Sequence, residues 1–90
     1  ILGSVNPGAE IIADGNIHVY GQLLGRAFAG SSGFKQAKIF ASNLNPEMIC
    51  IAGVYQLADG ISAEDKEGFV EVSLVYDSLI FQANFLEELS

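Results

Sequence analysis

Positive charge is what this chain has least of. Three lysines and one arginine stand against eleven acidic residues, a formal net charge of −7. That balance argues against nucleic acid as a partner, because neutralising phosphates takes a basic patch. Direct binding to an anionic membrane surface is disfavoured for the same reason. Tryptophan is absent, and cysteine occurs once, as Cys50. One cysteine cannot close an internal disulfide, so a reducing, intracellular home is expected rather than a secreted one. His18 is the single histidine, with no cysteine or second histidine nearby to complete a metal site. No apolar run approaches the length of a membrane span, and no signal peptide is visible. Helical periodicity is also missing before residue 84.

What the chain has is glycine, ten in 90 residues, spaced among short apolar runs. Half the residues are hydrophobic and 17% are charged, which excludes disorder and suits one small domain. The chain opens on Ile1 rather than Met, so a fragment that has lost an N-terminal partner domain is expected. Aligned by their Ala-x-Gly or Ala-Gly endings, AEIIADG (9–15), GRAFAG (25–30) and MICIAG (48–53) form three copies of one phrase. The copies place Ala13, Ala29 and Ala52 in one column and Ile11, Ala27 and Cys50 in another. NIHVYG (16–21), AKIFAS (37–42) and VYQL (54–57) follow as further strand-like pieces. A repeat this short, with glycine at the corners, predicts an all-β fold of β-solenoid coils. Asn6-Pro7-Gly8, Asp14-Gly15, Asn45-Pro46 and Asp59-Gly60 supply turns. The rival is an antiparallel meander with Asp14-Gly15 closing a hairpin, but its strands would hold only about five residues.

The expected division is one domain over 1–90. Glycine-cornered coils occupy 1–57 and a polar loop 58–68. Terminal strands follow over 69–83, with Val70, Val72 and Leu74 on one side and Glu71, Ser73 and Val75 on the other. A helical or frayed tail covers 84–90.

Strand alternation sorts the columns by face. With Ile11/Ala27/Cys50 and Ala13/Ala29/Ala52 inward, Glu10/Arg26/Ile49 and Ile12/Phe28/Ile51 point outward. A stacked apolar stripe of Ile12, Phe28 and Ile51 reads as an interface between copies, or else it is buried beneath the C-terminal strands. Glu10 and Arg26 stack on adjacent rungs. The pair is either a surface salt bridge worth about 0–1 kcal/mol or an arginine fork offered to a partner's carboxylates.

Chemistry finds little foothold. There is no nucleophile elbow. Cys50 lies in an apolar run and reads as a small core residue. Glu64, Asp65 and Glu67 around Lys66 lack calcium-loop spacing, and GQLLG and GSSG lack the Lys-Ser/Thr of a phosphate loop. No catalytic, cofactor-binding or metal-ligating residue is nominated. A polysaccharide-active enzyme on a solenoid scaffold, the alternative class, would need two converging carboxylates. Glu10, Asp14 and Glu47 do not nominate such a pair.

GSVNPGAEIIADGNIHVYGQLLGRAFAG (3–30), KIF (38–40), EMICIAGVY (47–55) and YQLADGISAE (55–64) together resemble the C-terminal domain of the septum-site-determining protein MinC, along nearly the whole chain. The resemblance implies a short right-handed parallel β-helix with a C-terminal strand cap, dimerising through an apolar face. It implies the dimerisation and partner-binding domain of a bacterial cell-division inhibitor, whose partners are the membrane ATPase MinD and the C-terminal tail of FtsZ. Recruitment to the inner face of the membrane would then be indirect, through MinD. In that family MinD is met largely through an Arg-Ser-Gly-Gln motif just upstream of Gly3, outside this chain. Glu10, in GAE, is similar to part of the MinD-facing surface, and Arg26, in GRA, to an arginine associated with FtsZ-tail recognition. Leu24 stands where many relatives carry a second basic residue, and Phe34 lies in a loop that is often acidic.

Overall fold

The computed structural model describes residues 3–61 and 68–83. The expected tail over 84–90, and the stretch 62–67 of the expected polar loop, lie outside them. The fold is all-β. Among the described residues, eight strands run in chain order: β1 (Glu10–Ile12), β2 (Ile17–Leu23), β3 (Arg26–Ala29), β4 (Lys38–Leu44), β5 (Met48–Ile51), β6 (Val54–Leu57), β7 (Val70–Val75) and β8 (Ser78–Ala83). One 3₁₀ turn, Ala58–Gly60, follows β6. The strands form two four-stranded sheets, ordered β1-β3-β5-β6 and β2-β4-β7-β8.

Within each sheet the early pairings are parallel and the late ones antiparallel. β1 pairs with β3, β3 with β5 and β2 with β4, all in parallel. β6 then turns back on β5, and the β7–β8 hairpin runs antiparallel along β4. Through β5 the chain therefore alternates between the sheets, laying β3, β4 and β5 each beside the strand two elements earlier. β2 shifts register between Val19 and Gln22, bending at Tyr20-Gly21 before it rejoins β4 at Asn43 and Leu44.

The inner faces of the two sheets supply the core. Ala27, Ala29, Ile49 and Ile51 come from the first sheet, and Ile17, Val19, Leu23, Ile39, Ala41, Leu44, Val70 and Val72 from the second. Alanines alternate with branched side chains, so short side chains on one strand make room for isoleucines on the next. Each fully buried isoleucine or leucine contributes about 1.5–3 kcal/mol relative to exposure.

Corners are closed by backbone that leaves no space for a side chain. A Cβ on Gly25 would run into the carbonyl oxygens of Ala9 and Asn6, the former of which accepts the Arg26 N–H at 2.9 Å. Gly30 sits at φ +59, packed under the Phe34 carbonyl. Asn16 fixes the start of β4, its Oδ1 accepting the Lys38 N–H at 2.8 Å.

One expected alignment is corrected. The first two copies match as anticipated, with Glu10, Ile11 and Ile12 opposite Arg26, Ala27 and Phe28. The third copy is displaced by one residue, because Ala27 faces Ile49, Phe28 faces Cys50 and Ala29 faces Ile51. Ile49 and Ile51, expected to point outward, are wholly buried, and Cys50, expected in the core, faces out half-buried. The cause is the turn. Ala29 ends a strand and Gly30 makes a corner, whereas both Ala52 (φ 50) and Gly53 (φ 88) belong to the two-residue hairpin joining β5 to β6. Matching the two Ala-Gly pairs therefore slides the strand by one position, and a slip of one exchanges the faces.

Candidate partner-binding surface

With the register corrected, the outer face of the first sheet can be read across all four strands. Ile12, Phe28, Cys50 and Tyr55 lie side by side on β1, β3, β5 and β6, and Arg26, Met48 and Leu57 form the neighbouring row with Glu10. Ile12 and Tyr55 at the margins are 63% and 62% exposed, Leu57 is 51% exposed, and Phe28 and Cys50 between them are half-buried by their neighbours. At about 4.8 Å between strands this is a flat apolar row roughly 15 Å long. Ile51 takes no part in it. Met48, Cys50, Tyr55 and Leu57 do, and the sequence reading missed them because the third copy had slipped. The signal that finds them is alternation counted back from the hairpin at Ala52-Gly53.

At one end of the second row sits the charged cluster. The Arg26 guanidinium donates through Nη1 to Glu10 Oε1 at 3.2 Å, and its Nε lies 3.9 Å from Glu47 Oε1. The same Glu47 oxygen accepts the backbone N–H of Gly8 at 3.0 Å. Glu10 and Arg26 are thus brought together on adjacent strands, as their spacing implied, and Glu47 is the member the sequence reading left out. Two carboxylates against one guanidinium leave the cluster net negative. An acidic partner must displace Glu10 or Glu47 before it reaches Arg26, whereas a basic partner meets carboxylates already held in place. All three side chains are a little under half exposed, so each pair contributes on the order of 0–1 kcal/mol to stability.

The outer face of the second sheet is different. His18 stacks on Phe40 at 4.6 Å between ring centroids with planes 12° apart, and Tyr20 lies 6.3 Å from His18. Beyond them Lys38 pairs with the largely buried Glu71 at 3.5 Å. Leu24 is half-buried at the entry to β3, and Phe34 is exposed in the loop before β4. Among the described residues, no group of three or more His, Cys, Asp or Glu side chains could hold a metal ion. No helix of the described residues is long and apolar enough to cross a membrane.

This is an all-β domain whose distinctive feature is a flat apolar face with a carboxylate–arginine cluster at its edge, the form of a binding module. The chain belongs to the family described as "Septum formation inhibitor MinC, C-terminal domain", whose model matches residues 1–83. It is 54% identical over 79 residues to the probable septum site-determining protein MinC of Aliivibrio salmonicida (strain LFI1238), a match covering 88% of this chain and 36% of that protein. The corresponding protein of Buchnera aphidicola subsp. Cinara cedri (strain Cc) is 48% identical over 84 residues, covering 93% of this chain and 35% of the relative. Among solved structures, a chain of the MinC:MinD cell division protein complex of Aquifex aeolicus superposes with a TM-score of 0.81. It is 29% identical and is matched over 98% of this chain and 76% of its own. The chain spans about a third of the length of these curated relatives.

Proposed function

We propose that this chain is the dimerisation and partner-binding part of a bacterial septum-placement inhibitor. It acts by adaptor binding and performs no chemistry of its own. Its partners are a second copy of itself, a MinD-type ATPase and the C-terminal tail of FtsZ. It reaches the inner face of the cell membrane only through MinD, and pairing presents two partner sites at once, raising the effective concentration of the second. The fold is read as one short right-handed parallel β-helix domain over 1–90, with glycine-cornered coils over 1–57, a polar loop over 58–68, terminal strands over 69–83 and a tail over 84–90. The parallel pairings among β1 to β5 support the coils, which the antiparallel β6 closes. Membership of the MinC family supports this reading, as does the likeness to a chain from a complex titled MinC:MinD.

The observation that carries the dimer is the unpartnered row of Ile12, Phe28, Cys50 and Tyr55, a continuous apolar stripe of a kind monomers seldom leave open. Glu10 and Arg26, with Glu47 added, form the polar rim offered to the other partners. Sedimentation equilibrium on the wild type and Phe28→Asp tests the face. A folded, monomeric variant beside a dimeric wild type is expected, whereas Ile51→Asp, placed in the core, should not fold. A variant as dimeric as the wild type would remove the first sheet from the interface. The stacked His18, Phe40 and Tyr20 on the second sheet support a rival reading, under which Tyr20→Asp is the monomeric variant.

A further inference from the structure

A second feature lies on the other sheet, away from the Arg26 cluster. β4 begins at Lys38, and its ladder with β7 ends at the pair Lys38–Ser73. β7 continues to Val75 while paired with β8 on its far side. Leu74 and Val75 therefore outrun β4, and the chain entering β4 leaves a groove beside them. It encloses about 420 Å³, with Lys35, Gln36, Ala37 and Lys38 along one wall and Ser73, Leu74 and Val75 along the other. Two of the chain's four cationic side chains stand on this one rim. Lys38 is tethered, by its N–H to Asn16 and by its ammonium to Glu71 at 3.5 Å. Lys35 is exposed, with no carboxylate of a described residue within ion-pair distance.

Tyr76 follows Val75 directly, at the hairpin tip. It is 93% exposed and sits at φ 56, in the left-handed region that a bulky residue rarely occupies. Nothing in the fold needs an aromatic there, and glycine would hold the turn with less strain. Strain kept at an exposed aromatic beside a cationic groove is a mark of a binding position.

We propose that this groove binds an extended, acidic peptide segment of a partner protein. An acidic side chain of the segment pairs with Lys35 and, by exchange with Glu71, Lys38. Its backbone lies against the overhanging edge of β7, and an apolar side chain packs on Val75 and Tyr76. The groove is concave, which suits a narrow peptide and opposes a flat bilayer.

The probe is a fluorescein-labelled peptide, acetyl-Asp-Leu-Glu-Phe-Asp-Leu-Glu-amide, followed by anisotropy and by amide chemical shifts of the full chain. Shifts at residues 35–38 and 73–76 are expected, with affinity falling as salt rises. Lys35→Glu should weaken binding about tenfold, whereas Arg26→Ala should leave it unchanged. Tyr76→Gly should also weaken it about tenfold while raising Tm by about 4 °C, an opposition that a purely structural role would not produce. The proposal is overturned if the peptide does not bind, if its lysine-for-acid analogue binds equally, or if binding depends on Arg26 and not on Lys35. Lys35-dependent sedimentation with phosphatidylserine vesicles, in the absence of peptide binding, would assign the groove to a membrane instead. Because the dimer is read by sedimentation of Phe28→Asp, failure here leaves that reading untouched.

Discussion

At the scale of single residues, the fold depends on positions where a methyl group is too much. Gly25 is the clearest. Its α-hydrogens face the carbonyls of Ala9 and Asn6 at the corner where β2 passes into β3, and neither carbonyl can withdraw without breaking a turn. The Asn6 oxygen accepts the Ala9 N–H, and the Ala9 oxygen accepts the Arg26 N–H. Gly25→Ala should therefore cost about 2–4 kcal/mol, seen in urea melts as a lower midpoint with an unchanged slope. A loss below about 0.5 kcal/mol would mean that the corner relaxes freely and that the approach is unimportant. Arg26 makes the opposite case. Its two ion pairs are half-solvated, so they add little to stability.

At the scale of elements, strand positions were legible because short alternating runs between glycine and turn residues have few other ways to bury half their side chains. EII, IHVYGQL, RAFA, KIFASNL and VEVSLV all appear as strands. Pairing between rungs was legible where two corners were chemically alike, as with Glu10 opposite Arg26. It failed where one Ala-Gly made a corner and another made a hairpin, since the dihedral angles that separate the two are not written in residue identity. Glu47 went unrecognised for a related reason, because its partner Arg26 lies across a parallel pairing whose register was off by one. The hairpin itself is improvable. Ala52 occupies φ 50 before Gly53 at φ 88, the pattern of a type I′ turn, which favours Asn-Gly. Ala52→Asn should stabilise the fold by about 0.5–1 kcal/mol, measurable as a rise in thermal midpoint. A destabilised variant would show that Ala52, itself half-buried, is held by packing rather than limited by its backbone.

At the scale of the whole molecule, the two outer faces and the two ends have different work. The stack ends at β6 and β8 in antiparallel strands, while β1 and the first half of β2 are the open edges at the opposite end, the second half of β2 being covered by residues 3–5 through the Val5–Leu23 bridge. An edge of parallel strands is open to pairing with further chain, so self-association through an edge and association through the outer face of the first sheet must be told apart. Cys50 does this without any added label. It is the only cysteine, half-buried at the middle of the apolar row, two strands from Ile12. If copies pair face to face, the thiol is covered in the dimer and its reaction with iodoacetamide slows in proportion to the fraction paired. Dilution of the wild type should then speed alkylation. Ile12→Asp, which breaks the face without touching the surroundings of Cys50, should react quickly at every concentration. Association through the β1 and β2 edges would leave the row open, and the rate would be independent of concentration in both proteins even as sedimentation reported a dimer. That outcome would move the interface to the strand edges and leave the row of Ile12, Phe28, Cys50 and Tyr55 free for a different partner.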